Sequence, residues 1–319
     1  MSQTIDTERA AEFFRENDRF AIIPHASADG DTLGSAYALC RALLKLGKNV
    51  KVTTPEPPSV RFDYLKAGMP CPEFSEEFYI SVDVADSALL GDLEKPLDGR
   101  IDLCIDHHIS NTGYAKSLLL DGAAAATCEI IFGLIKRLEE ISGIDIMDAD
   151  IAACVYTGVS TDTGCFRFSN TTSRTHIIAA KLIDYGFDCA GLNYLLFEMR
   201  TKERIKLEKQ ALDSIEFRLD GKCAMIALTK AMLAEADDED VNAISSLSRQ
   251  VGGVELGVTL KERETDVWKI SLRSNNYIDS SLICRKFGGG GHKRAAGCRI
   301  TGALEDVKAK LLKEIELYI

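Results

Sequence analysis

The sequence predicts an α/β protein: a doubly wound parallel sheet in the N-terminal part, joined to a smaller α/β C-terminal part with a mixed sheet. Three observations predict it. Short apolar runs alternate with helical patterns through the first half of the chain, the signature of strand–helix–strand crossovers. After Gly186 that alternation gives way to a long charged stretch, LLFEMRTKERIKLEKQALDSIEF. Beyond it, VELGVTLKE and VWKISLRS follow each other closely enough to be read as paired strands.

In chain order, residues 7–17 carry a helical pattern, and the run Phe20 to Pro24 a buried strand. Residues 32–47 (TLGSAYALCRALLKLG) form a long helical pattern that stops at Gly47. NVKVTT, FYISVD ending at Asp83, and IDLCID ending at Asp106 are three further strands. Helices follow at about 124–140 and 148–160. The charged stretch 191–217 has few turn residues and reads as a connecting helix, so the expected parts are 1–190, 191–217 and 218–319. The last part opens with the strand KCAMIALT and a helix over 238–250, then the strand pair. It ends with the glycine run FGGGGHKRAAGC and an amphipathic helix over 304–318.

Composition narrows the function. With 46% hydrophobic and 27% charged residues, a packed core is expected and wholesale disorder is not. No apolar run approaches the ~20 residues of a membrane span, and the charged N-terminus lacks a signal-peptide core, so a soluble cytoplasmic protein is expected. A net charge of −11 argues against a basic groove for long duplex nucleic acid. It leaves room for a small anionic substrate, because bound cations can reverse the local sign. Ten scattered cysteines without a C-x-x-C pair read as free thiols, most of them buried.

Five segments carry the chemistry. His25-Ala-Ser-Ala-Asp29-Gly-Asp31 lies directly after a strand and before a helix, so an imidazole and two carboxylates fall within seven residues. Gly30 frees the backbone to aim both acids; helix capping by Asp31 or Thr32 is the plainer alternative. Asp83, with Asp86 three residues on, ends a buried strand, where a carboxylate is costly without a partner. Asp106-His107-His108 ends the next strand, and an acid can hold a ligating imidazole through its second nitrogen. Thr161-Asp162-Thr163-Gly164 adds a carboxylate after the apolar run IAACVYTGVS, or merely stops a helix. Gly288 to Gly291, followed by His292, Lys293 and Arg294, offers exposed amides beside positive charge, as a phosphate cradle needs. Arg273 could add a bidentate phosphate contact. In a parallel sheet the strand ends bearing His25, Asp83 and Asp106 converge on one edge, where such folds place their sites.

Taken together, these segments resemble the motifs of the DHH phosphoesterase family. HASADGD, VDVAD, DHH and TDTG are similar to its four N-terminal motifs, and GGGGHKRAAG to the glycine-rich signature of its associated C-terminal domain. The order and spacing agree from about residue 20 to residue 300. The resemblance implies that His25, Asp29 and Asp83 hold one metal ion, and that Asp31, His107 and Asp162 hold a second, with Asp83 bridging. It places His108 against the substrate phosphate and Asp106 behind the histidine pair. Arg273, Gly290, Gly291 and His292, with Lys293 and Arg294 beside them, would take the nucleotide end. Ala28 departs from the proline usual in the first motif, at a position that is not a ligand.

The reaction implied is two-metal hydrolysis of short oligonucleotides of 2–5 nucleotides, RNA or DNA, or of adenosine 3′,5′-bisphosphate (pAp). Two cations ~3.5–4 Å apart would activate water and neutralise the phosphoryl oxygens. Carboxylates mixed with imidazoles suit two Mn²⁺ per chain, with Co²⁺ or Mg²⁺ as substitutes. A phosphodiesterase for cyclic dinucleotides or their linear products is the alternative. An inorganic pyrophosphatase and a catalytically silent nucleotide-binding protein rank lower. No membrane partner is expected, and a homodimer is compatible with this reading.

Overall fold

The computed structural model describes residues 2–70, 72–236 and 238–319, with the side chains of 238, 239 and 242 excepted. The chain divides into two compact units, the first ending at Met199 and the second spanning Arg200–Ile319.

The first unit is built on strands β1 (Gln3–Thr4), β2 (Phe20–Ile23), β3 (Val50–Val52), β4 (Phe78–Val82), β5 (Ile101–Asp106) and β6 (Ser117–Leu120). They form one sheet in the order β1-β6-β5-β4-β2-β3, and every pairing is parallel. Its helices are α1 (Thr7–Glu16), α2 (Gly30–Lys45), α3 (Thr127–Ser142), α4 (Ala149–Asp162), α5 (Ser173–Ile183) and α6 (Cys189–Asn193). Alternate strand residues feed two apolar clusters. Phe20, Ile22, Ile80, Val82, Leu103 and Ile105 join the helices in the main core. Ile23, Tyr79, Ile101 and Cys104 join a smaller core closed by Leu90, Leu93 and Leu97, next to a 3₁₀ segment, rather than by long helices. From β2 the chain steps out to β3 on one side, then returns to β4 and proceeds through β5 and β6 on the other. The order therefore reverses between β2 and β4, and a crevice at the carboxyl ends of those strands is where such a sheet binds ligands.

The second unit contains α7 (Lys202–Asp213), β7 (Glu216–Arg218), β8 (Cys223–Leu228), α8 (Lys230–Leu233), α9 (Asp238–Ile244), β9 (Leu256–Glu264), β10 (Val267–Ser274), α10 (Ser280–Arg285), β11 (Gly290–His292), β12 (Ala295–Thr301) and α11 (Leu304–Ile315). Its sheet runs β11-β12-β10-β9-β8-β7 and is mixed: β8 and β9 are parallel, the other pairs antiparallel.

Two expectations need correction. Residues 191–217 are not one connecting helix: α6 runs into a π-helical turn over Tyr194–Glu198, Met199 is extended, and α7 starts afresh at Lys202. The Arg61 guanidinium takes the carbonyls of Leu195 and Leu196, satisfying the terminal acceptors that a continuing helix would use. Thr201 then caps α7 by accepting from the Arg204 N–H at 2.9 Å. The helix expected over 238–250 ends at Ile244, with a separate 3₁₀ turn at Ser248–Gln250. The glycine run joins the sheet, where Gly290–His292 pairs antiparallel with Ala295–Gly297. Gly291 has a φ of 135°, and a Cβ there would lie 2.6 Å from the Ala295 carbonyl oxygen, so only glycine fits.

Nine described cysteines are free, and Cys71 lies outside the described residues. Among the described residues no helix is long and apolar enough to cross a membrane.

Candidate metal centre

The site starts from the sheet order. β5, β4 and β2 are neighbours, so their carboxyl ends bring His107, Asp83 and His25 to one edge. Asp83 follows β4 with a φ of 60°, a left-handed conformation that asparagine and aspartate tolerate best among non-glycine residues. Its N–H still donates to the Ile105 carbonyl at 2.9 Å, so the turn is pinned to β5. Thr127 Oγ1 donates to Asp83 Oδ1 at 2.8 Å. Asp86 is not part of the site: it caps the following 3₁₀ segment through the Ala88 N–H.

Helix ends supply the rest. Asp29 is the N-cap of α2, accepting from the N–H groups of Asp31 and Thr32 at 3.0 and 3.1 Å. Asp31, in the first turn, is fully buried and accepts from the Thr127 and Cys128 N–H groups at 2.6 and 3.0 Å. It thus caps the N-terminus of α3, which favours its ionised form. Asp162 is the last residue of α4. Close helix packing makes this arrangement possible, since a Cβ on Gly158 would meet the Asp31 Oδ1 at 2.5 Å and the Cys128 Sγ at 2.2 Å.

Three groups of donors result. His25, Asp29 and Asp83 form one, Asp31, His107 and Asp162 another, and Asp83, His107 and His108 a third; in each, the ligand atoms lie within 4.8 Å of one another. His25 Nε2 is 3.9 Å from both Asp29 Oδ1 and Asp83 Oδ2. His107 Nε2 is 3.4 Å from Asp162 Oδ2 and 3.7 Å from Asp83 Oδ1. His107 Nδ1 lies 3.2 Å from the Ala124 carbonyl, which can only accept. Nδ1 therefore carries the proton, and the Nε2 lone pair faces the carboxylates.

Behind the pair, Asp106 is fully buried. Its Oδ1 accepts from the N–H groups of His107 and His108 and from His108 Nδ1, at 2.8, 3.2 and 2.8 Å. Its Oδ2 accepts from Asn111 Nδ2 at 2.7 Å. Burial alone would raise Asp106, but the His108 and Asn111 hydrogen bonds outweigh it and hold the carboxyl below its usual range. Reciprocally, the Asp106 hydrogen bond raises His108 to about 9, so its imidazole is cationic at neutral pH. With Nδ1 engaged by Asp106, Nε2 is the atom left to face a substrate.

Three of the clustered carboxylates behave oppositely. Burial, reinforced by the Asp83 charge, drives Asp31 well above the carboxylate range despite its helix N-terminus. Burial pushes Asp83 and Asp162 up to about 6. Among the described residues no lysine or arginine pairs with Asp29, Asp31, Asp83 or Asp162. Four clustered acids that meet no lysine or arginine among the described residues fit divalent cations, because one imidazolium cannot balance them.

This has a measurable consequence. A carboxyl raised on folding stabilises the metal-free protein below its unfolded value, and that contribution is lost as pH rises through the folded value. For Asp83 and Asp162 the window runs from about 4 to about 6. The gain in melting temperature between EDTA and added divalent cation should therefore grow from pH 5 to pH 7.5. A gain that is flat across that range would mean these acids do not bind the ion.

The sequence-expected nucleotide contacts lie in the second unit. Arg273, on β10, is half-buried, and burial together with the Arg249 charge lowers its guanidinium from its ordinary value. Gly290, Gly291 and His292 form β11, while Lys293 and Arg294 make the exposed turn to β12. Four contributors to the metal centre were not anticipated: Thr127, the Cys128 N–H, Asn111 and Gly158.

Comparison with known proteins agrees with this arrangement of motifs. Residues 19–159 match the DHH family, N-terminal domain, and residues 226–319 the DHHA1 domain. The bifunctional oligoribonuclease and PAP phosphatase NrnA of Thermus thermophilus is 33% identical over 287 residues, covering 88% of this chain and 84% of that one. The protein of the same name from Bacillus subtilis is 27% identical, covering 89% and 90%. An exopolyphosphatase-related protein from Bacteroides fragilis has the same fold, with a TM-score of 0.87 at 22% identity over 98% of this chain and 96% of that one. The two matches follow each other in the order of the chain, and the first spans every residue of the three donor groups except Asp162, three residues beyond its end. The chain belongs to the DHH family.

Proposed function

We propose that the protein is a metal-dependent phosphoesterase that hydrolyses short oligonucleotides and pAp, with two Mn²⁺ ions per chain. The observation that carries this is the juxtaposition of four carboxylates and two imidazoles, which meet no lysine or arginine among the described residues, beside a histidine held cationic by a buried aspartate. The likeness to relatives named oligoribonuclease and PAP phosphatase supports the substrate class.

In this reading His25, Asp29 and Asp83 hold one ion, Asp31, His107 and Asp162 hold the other, and Asp83 is shared. When bound, the ions make a nucleophile available near neutral pH and neutralise the phosphoryl oxygens. Oxygen donors mixed with imidazole favour Mn²⁺ over Mg²⁺. His108 contacts a phosphoryl oxygen or protonates the leaving oxygen, and either role needs its cation. Asp106 secures both the charge and the direction of that imidazole. Water adds to phosphorus, the bond from phosphorus to the 3′-oxygen breaks, and that oxygen takes up a proton. Arg273, Gly290, Gly291 and His292, with Lys293 and Arg294, bind the nucleotide.

A panel of pAp, pApA, pGpG and cyclic-di-AMP with Mn²⁺ tests this reading. Turnover of pAp and pApA is expected. Inertness toward all four in Mn²⁺, Co²⁺ and Mg²⁺ would overturn it.

A further inference from the structure

The donors of the group Asp31, His107 and Asp162 hang on two segments that are distant in the chain. One is the stretch 124–128 at the start of α3. Its Ala124 carbonyl lies 3.2 Å from His107 Nδ1 and sets the direction of that imidazole. Its Thr127 and Cys128 N–H groups hold Asp31 at 2.6 and 3.0 Å. The other segment is the end of α4, which carries Asp162 as its last residue. The 3.4 Å between His107 Nε2 and Asp162 Oδ2 therefore depends on how these two segments are joined.

Beyond α4 the backbone takes a costly course. Gly164, Cys165 and Phe166 have φ values of 55°, 58° and 62°, so two non-glycine residues in succession stand in the left-handed region. The Phe166 N–H, which a continuing helix would give to the Asp162 carbonyl, goes to Thr163 Oγ1 at 3.1 Å instead. The turn doubles the chain back and delivers Asn170 to the carbonyl left over. Asn170 Nδ2 donates to the Asp162 carbonyl at 3.1 Å and to the Ala125 carbonyl at 3.0 Å, so one amide spans both segments. Both partners can only accept, which settles the orientation of that amide. The residues that follow grip the same stretch on either side. Arg174 meets Asp121 at 2.6 Å and Glu129 at 3.2 Å, and Thr175 Oγ1 donates to Glu129 Oε1 at 2.6 Å.

We infer, on the two-ion reading proposed above, that Asn170 is a positioning residue for one of the two ions. By tying Asp162 to the stretch that orients His107 and Asp31, it sets the affinity of that group for a divalent cation. The group His25, Asp29 and Asp83 includes neither Asp162 nor a residue bonded to Ala125, and does not depend on Asn170. An amide suits the task, because its nitrogen carries one hydrogen for each carbonyl and adds no charge to a cluster of acids.

Titration of the full chain with Mn²⁺, followed through the paramagnetic resonance signal of the free ion, tests this without turnover. The parent should show two classes of bound ion. Asp162→Asn removes a donor and so identifies the class that belongs to Asp31, His107 and Asp162. Asn170→Leu keeps the size of the side chain and removes both hydrogen bonds. It should weaken that same class on the order of 10- to 100-fold and leave the other close to its parent value. Added to Asp162→Asn, the Asn170→Leu change should cost little more, because both act on one ligand. A merely structural Asn170 would lower the melting temperature in EDTA and weaken both classes alike or neither. Either pattern would overturn the inference, since the untouched class reports the folded fraction. A parent with a single class of ion would sink the two-ion reading instead. Weaker binding in Asn170→Leu would then keep the positioning role, and unchanged binding would remove it.

Discussion

Asp83→Asn should lower kcat on pAp and pApA by on the order of 10³-fold or more, which is about 4 kcal/mol of lost transition-state stabilisation. The physical case rests on position. Asp83 belongs to two of the three donor groups, lying beside His25 through Oδ2 and beside His107 through Oδ1. No other carboxylate is shared in this way among the described residues. The replacement keeps the size of the side chain and tolerates the φ of 60°. It also removes one of four clustered carboxylates that repel each other. The metal-free variant should therefore melt no lower than the parent in EDTA, while the rise in melting temperature on adding Mn²⁺ shrinks. Near-normal turnover in Asp83→Asn would refute the shared-carboxylate assignment. Lost turnover together with a lower melting temperature in EDTA would mean that Asp83 is structural.

The strand-end residues were legible in the sequence because each terminates an apolar run. A parallel sheet carries the ends of such runs to one edge, so His25, Asp83 and Asp106 could be expected there before the strand order was known. Asp162 was legible only as a polar stop after an apolar helix. Thr127 was not legible. It lies 96 residues from Asp31 and 44 from Asp83, yet bonds to both, because the N-terminus of α3 is fixed by packing that no local pattern encodes. Gly158 was hidden for the same reason: inside a helix a glycine is an ordinary cost, and only the approach of α2 makes it a requirement. The supposed connecting helix failed in the opposite direction. Its helical composition is genuine, but Arg61, over 130 residues away, captures its carbonyls and ends it.

Asp106→Asn separates holding a histidine from charging it. Asp106 accepts four hydrogen bonds, three of them at Oδ1 from His107 and His108. An asparagine oriented with its carbonyl toward the histidines keeps those three, but turns its amide toward the Asn111 amide, a donor against a donor. The fold should survive, because one lost bond among four costs about 1–3 kcal/mol. The charge does not survive. The Asp106 hydrogen bond is the largest reason His108 stands at about 9, and without the negative partner the imidazole returns toward its ordinary value near ~6.5. A histidine raised in this way is cationic below the raised value and neutral above it. In the parent the alkaline limb of the kcat profile should fall near pH 9, and in Asp106→Asn it should move down by about two pH units. At pH 8 the variant should therefore lose on the order of 10²-fold in kcat, and it should recover part of that loss at pH 6. A purely structural role for Asp106 would lower the whole profile without moving the limb. Equal loss at pH 6 and pH 8 would thus refute the cationic role assigned to His108, whichever phosphate oxygen it contacts.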